Sequence, residues 1–200
     1  MSPTVDPLKM KLKDIIFTAI FSVLFFACIL LVMMVLGSNP ATFFFIHGIG
    51  AIPGGIIYMY MRARTPKRGA ILLMGVLLAL IAFGMGIAWP AAAGLFVGGI
   101  LAEAISACGH YTGTRWNVAA YVVFICCFWG GHISYVVFGT ESFINTMTSQ
   151  GAGREYLDAL ILFVRGPMSA VCLGVTALCA LFGGILGNIL FKKHFAKLNA

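Results

Sequence analysis

The sequence predicts an all-α integral membrane protein: one domain over residues 1–200, built as a six-transmembrane-helix bundle with a short amphipathic helix in the outer loop between helices 5 and 6. Three observations lead there. Hydrophobic residues make up 61% of the chain and charged residues only 10%, a balance far from that of soluble domains. Apolar stretches of roughly 20 residues, the length a helix needs to cross the hydrocarbon layer, recur along nearly the whole chain. The basic residues gather between alternate stretches instead of being spread evenly.

The first span is expected over about 14–36 and stops at Gly37-Ser38-Asn39-Pro40, residues that end helices. Its apolar run is longer than the core of a cleaved signal peptide. The second span, about 41–61, ends in the basic run Arg62-Ala63-Arg64-Thr65-Pro66-Lys67-Arg68, and the third covers about 69–89. Pro90 permits a tight turn into the fourth, about 91–108, because proline is tolerated at the first positions of a helix. The fifth span covers about 116–138, and the last about 168–191, before Lys192 and Lys193. Between these two lies the one long loop, Gly139 to Pro167. Within it Leu157, Leu160, Ile161 and Val164 follow helical i, i+3, i+4, i+7 spacing, so Arg154 to Arg165 is expected as an amphipathic helix. Such a helix either anchors at the bilayer surface or closes over a pocket, and the Gly151-Ala152-Gly153 hinge favours closure.

Lysine and arginine in short loops stay on the cytoplasmic side. Of the 13 basic residues, all but Arg154 and Arg165 then fall on one face, which places both termini in the cytoplasm of a multi-pass plasma-membrane protein. The net charge of +7 is accounted for by insertion and contact with anionic lipid, and a nucleic-acid partner is not expected. The six cysteines lie in or beside the spans without a CxxC pair and read as packing residues. Glycines four apart, Gly50 and Gly54, Gly94 and Gly98, Gly183 and Gly187, let helices approach closely, since association in lipid depends on packing. On the first helix, Thr18, Ala19 and Ser22 form a small-residue stripe that suits either internal packing or a partner subunit.

Polar groups within spans are costly unless partnered and are therefore the first site candidates. His47, near the outer end of the second helix, and His132, in the outer half of the fifth with Trp129 and Tyr135 on its face, suit a ligand-lined cavity; histidines hydrogen-bonded between helices give the same sequence. Trp89 is expected to close the third helix at the outer surface, where it and Trp129 fit ligand contact and an aromatic interfacial belt equally. Asn145 and Asp158 in the outer loop complete the set of substrate-binding candidates. Glu103 reads as an anchor near the cytoplasmic face, with Arg115 or His110 as its partner. No metal site, cofactor or catalytic set is expected: HExxH, GxSxG and paired-carboxylate arrangements do not occur in the sequence.

The order Lys13-Asp14, His47-Gly48-Ile49-Gly50-Ala51-Ile52-Pro53-Gly54-Gly55, the basic loop, Trp89-Pro90, Gly99-Ile100-Leu101-Ala102-Glu103 and the terminal Gly183-Gly184 with Lys192-Lys193-His194 resembles the Trep_Strep family over nearly the whole chain. Its members look like substrate-binding S-components of energy-coupling factor (ECF) transporters. The resemblance implies a small six-helix protein that captures a micronutrient outside and works with a transmembrane T-component and two ATPases. It also implies that small residues on the first helix, here Thr18, Ala19 and Ser22, meet the T-component, although Val23 stands where an alanine-spaced motif places another small residue. Capture, toppling of the bundle and release inside would follow. ATP hydrolysis is expected in the partners, since the chain has no GxxxxGK[ST] loop. A stand-alone secondary transporter is the rival expectation, disfavoured by the scarcity of acids in the spans, and a haem- or metal-binding membrane protein is a further one. Aromatic and histidine side chains suit a flat vitamin-like or tetrapyrrole compound, with a metal chelate next.

Overall fold

The computed structural model describes residues 8–87, 89–149, 151–165 and 167–195. Those residues form nine helices and no strand: α1 (Leu12–Leu36), α2 (Pro40–Phe43), α3 (Ile46–Arg64), α4 (Ala70–Gly84), α5 (Trp89–Cys108), α6 (Thr114–Phe138), α7 (Thr140–Ser149), α8 (Arg154–Arg165) and α9 (Met168–Phe195). Four of the described helices, α1, α5, α6 and α9, are long and apolar enough to cross a membrane. The remaining two expected spans correspond to α3, which carries Arg62 and Arg64 in its last turn, and α4, which is only 15 residues long. At about 1.5 Å per residue α4 rises roughly 22 Å, short of the ~30 Å hydrocarbon layer.

The early end of α4 corrects the expected third span, which was to continue to Trp89. Gly86 takes a left-handed φ of +77°, a conformation glycine reaches without a Cβ clash. Its N–H donates to the Phe83 carbonyl at 3.0 Å and the Ile87 N–H to the Ala82 carbonyl at 2.9 Å, the paired bonds of a Schellman ending. Trp89 consequently opens α5, with Pro90 beside it in the first turn.

The six long helices close a ring in the order α1, α3, α9, α6, α5, α4 and back to α1, with α3 also touching α6 across the middle. Small residues set the seams. A Cβ on Gly183 or Gly187 of α9 would meet the Ala51 or Gly55 carbonyl of α3, and one on Gly94 of α5 would meet the Cys127 carbonyl of α6. Gly75 of α4 and Gly99 of α5 face each other in the same way. Gly50 and Gly54 instead receive Ile29 and Phe25 of α1. Phe25, Tyr58, Met74, Leu95, Tyr121 and Phe124 fill the centre.

One end of the bundle, the basic end, carries Arg62, Arg64, Lys67 and Arg68. Arg62 is 1% exposed and donates all five guanidinium N–H groups' worth of bonds: to Asn117 Oδ1, the Thr65, Lys67 and Tyr111 carbonyls and Ser106 Oγ, at 2.9–3.4 Å. It thereby joins α3 to α5, α6 and the turn between them. Glu103 accepts N–H bonds from Gly69, Ile71 and Leu72 at 2.5, 3.0 and 3.3 Å. The carboxylate thus caps the positive N-terminus of α4, instead of pairing with Arg115 or His110.

At the opposite end, α2, α7 and α8 lie over the helix ends. Leu157, Leu160 and Val164 of α8 are buried with Phe43, Phe44, Trp129 and Phe143, while Arg154, Glu155 and Asp158 face outward. Phe163 stacks on Phe44 with ring centroids 5.5 Å apart, and the Tyr156 hydroxyl donates to the Gly37 carbonyl at 2.6 Å. The α8 stripe is therefore engaged with the bundle itself.

Candidate cavity at the capped end

The turn made by Gly37 and the short α2 brings the chain back so that α3 begins at Ile46 and His47 stands in its first turn, facing inward at 5% exposure. Trp129 of α6 fixes this junction: its indole N–H donates to the Phe44 carbonyl at 3.3 Å. One turn apart on α6, Phe128 and His132 meet the His47 imidazole edge to face, with centroids 4.5 and 5.1 Å away. Phe43 closes on His132 from α2 at 5.4 Å.

Above this cluster is a cavity of about 240 Å³. Leu30 and Met33 of α1 form one wall, Phe43 and His132 another, and Ala91 of α5 with the Met85-Gly86-Ile87 turn a third. Phe143, Thr146 and Met147 of α7 cover it. Leu30, Met33, Phe43, Ile87 and His132 also line an adjoining space of about 40 Å³ that reaches inward to His47, Phe128, Phe26 and Ile29. Among the described residues, no acidic residue, lysine or arginine lines either space. Among the described residues, the buried Nδ1 of His47 has no hydrogen-bond partner. Leaving a buried polar atom unmatched costs roughly 1–3 kcal/mol, and His47 borders only the small inner space, not the main cavity.

The structure brings together only some of the expected site residues. His47 and His132 share the small inner space, His132 also lines the main cavity, and Trp129 holds the α2–α3 junction beside them. Trp89, 69% exposed, belongs to a separate apolar groove of about 490 Å³ between α5 and α6, with Gly94, Cys127, Gly131 and Phe138. Asn145 is exposed on α7, and exposed Asp158 pairs with Arg154 of its own helix at 3.4 Å. Neither lines the cavity. The side chain of Tyr135 lies outside the described residues. Sequence reasoning missed Met33, Phe43, Met85, Ile87, Phe143 and Met147, because an apolar cavity wall and an apolar core are made of the same residues. The only local sign was the Gly84-Met85-Gly86 break in the third apolar run.

The expected partner stripe is also placed differently. Thr18 and Ser22 are fully buried inside the bundle, with the Ser22 hydroxyl donating to the Thr18 carbonyl at 2.8 Å, and Ala19 is half-buried. The outward face of α1 presents Ile16, Ile20, Val23 and Leu24. A subunit approaching this side meets branched apolar side chains.

No curated protein and no solved structure matches the chain. A family model described as a hypothetical bacterial integral membrane protein, Trep_Strep, matches residues 12–197, and the chain belongs to that family.

Proposed function

We propose that this protein is the substrate-capture (S) component of an ECF-type ABC importer, taking up a small organic micronutrient at the capped end and delivering it inward by reorientation with a T-component and two ATPases. The observation that carries the reading is the covered apolar cavity bounded by His132 and, among the described residues, free of acidic, lysine and arginine side chains. A pocket of this kind suits binding a small molecule. In this reading α1, α3, α4, α5, α6 and α9 are the six spans, the basic end is cytoplasmic with both termini, and the cavity opens outward in the plasma membrane. The chain carries no phosphate-binding loop of the GxxxxGK[ST] type, so ATP hydrolysis belongs to partner subunits. The T-component docks on the Ile16, Ile20, Val23 and Leu24 face of α1.

A tetrapyrrole is a poor fit. The two imidazoles stand edge to face with centroids only 5.1 Å apart, which leaves no gap for a flat macrocycle and its iron between them. Affinity copurification of the tagged chain from its native membrane, with mass spectrometry, tests the importer reading. Recovery of a T-component and two ATPases is the expected result. A chain that brings down no ATPase yet moves solute alone in proteoliposomes would instead be a secondary carrier.

A further inference from the structure

We propose that the basic end carries a specific site for one anionic phospholipid, its phosphate held among Asn188, Lys192 and Arg115 and an acyl chain laid along Leu181, Ile185 and Val118. The site lies at the opposite end of the molecule from the capture cavity, and the proposal does not depend on the capture reading.

Two spaces adjoin there. A polar one of about 240 Å³ is bounded by Arg62, Thr114, Asn117, Asn188 and Lys192. A second, of about 260 Å³, runs between α6 and α9 over Val118, Leu181 and Ile185, with Arg115 at its edge. Thr114 and Asn188 line both, so the two spaces share a border.

The walls change polarity in the same direction. On α9, Leu181, Ile185, Asn188 and Lys192 follow i, i+4, i+7, i+11, a single stripe of the helix that passes from hydrocarbon through an amide to an ammonium. At 1.5 Å per residue the stripe covers about 16 Å. On α6, Val118 stands one turn in from Thr114 and Arg115 at the helix start. Leu181 and Ile185 are 41% and 45% exposed, so the apolar half opens outward, where a membrane-spanning bundle meets hydrocarbon. A molecule that satisfies both halves is an amphiphile: a bare anion leaves the apolar half unmatched, and a neutral hydrocarbon leaves the polar half so.

Charge sets the sign of the head. Among the described residues no acid lines either space. Lys192 and Arg115 are exposed, with long stems that let the cationic ends reach the interface. Arg62 stands behind them, and each of its hydrogen bonds goes to a neutral oxygen, of Asn117, Ser106 or a backbone carbonyl. Its N–H groups are thus engaged, and it favours an anion through charge alone. Each lysine or arginine near a membrane surface favours anionic lipid by roughly fivefold, so two exposed cations and a buried third select strongly against a zwitterion.

Native mass spectrometry of the delipidated full chain, titrated with dioleoyl phosphatidylglycerol or dioleoyl phosphatidylcholine, reads the first phospholipid bound. Phosphatidylglycerol is expected to bind at least about tenfold more tightly. Arg115→Gln combined with Lys192→Gln should weaken it about tenfold or more. Arg68→Gln combined with Lys193→Gln removes the same charge from exposed positions that line neither space, and should change the affinity by less than about twofold. Glycerol phosphate in large excess should not displace the lipid, because it has no chain for the apolar half. The comparison of the two lipids uses the unaltered chain, so it stands even where a variant fails to fold. Equal binding of the two lipids, or an equal loss in both double variants, would mark diffuse attraction between a basic surface and any anionic lipid and overturn the proposal. Displacement by glycerol phosphate would make the occupant a soluble phosphate ester and overturn it as well.

Discussion

Arg62 shows how a single side chain can be both costly and indispensable. A guanidinium 1% exposed would be prohibitive alone, yet its five bonds reach two loop carbonyls, the Tyr111 carbonyl, Ser106 and Asn117. The Tyr111 carbonyl is brought into reach by two non-glycine residues in left-handed conformation, His110 at φ 51° and Tyr111 at 63°, a local strain that the bonds from Arg62 and Asn117 offset. Arg62→Ala leaves these acceptors facing a void, and thermal unfolding in detergent should report a loss of about 3 kcal/mol or more. Arg62→Lys should recover little, because one compact ammonium cannot span acceptors on opposite sides of a planar fork. Arg64→Ala, on the exposed side of the same helix, should be nearly silent. Glu103 works at smaller scale: Glu103→Ala removes the acceptor for three N–H groups at the start of α4 and should cost about 1–2 kcal/mol, the usual range for losing a helix cap. In the sequence Arg62 was indistinguishable from the loop cations beside it. Only the path of the α5–α6 turn, set by those left-handed residues, decides that it points inward.

Between helices, glycine seams carry the architecture, and their importance differs by position in a way that spacing alone does not reveal. Gly183→Ala would push a methyl into the α3 backbone at Ala51 and Ile52, which cannot yield as a side chain can, so a loss of about 1–3 kcal/mol is expected in the same unfolding assay. Gly130→Ala and Gly174→Ala meet nothing within 4 Å and should be neutral, or stabilising by up to about 1 kcal/mol through helix propensity. The Gly183 and Gly187 spacing was legible because close approach demands small residues on one face; which helix they met was not, since α3 and α9 are far apart in the chain. The Tyr156 phenol ties α8 to the Gly37 carbonyl at the end of α1. Burial holds the Tyr156 hydroxyl above its usual value of 10.0, so the native state retains this proton more firmly than the unfolded chain does. Its contribution is therefore complete below the ordinary phenol range and is lost as pH rises through the raised value. Tyr156→Phe should reproduce that loss at neutral pH, with faster amide exchange in α8 and α7 and a stability change of only about 1 kcal/mol, the worth of one neutral hydrogen bond.

The shape of the whole molecule follows from unequal helices. If α4 matched the 25 residues of α1 and α6, its last turns would occupy the space where the Met85-Gly86-Ile87 turn now bounds the cavity. The opening is thus a consequence of where one helix stops. Hydropathy does not mark that stop, because Met85, Ile87 and Ala88 are as apolar as the helix before them. For the same reason the histidine pair was legible as a candidate while the methionine and phenylalanine walls were not. The orientation of this asymmetric body can be settled independently of any ligand. In a variant with its six native cysteines replaced by alanine or serine, Asn145→Cys on α7 and Arg68→Cys at the basic end are each exposed. A membrane-impermeant maleimide applied to intact cells should label Asn145→Cys alone, and Arg68→Cys only after the membrane is opened, because lysine and arginine in short loops resist translocation. Labelling in the opposite order would turn the cavity toward the cytoplasm, where a capture protein for external nutrients has no use for it, and would leave an exporter or an internal sensor as the reading consistent with the geometry.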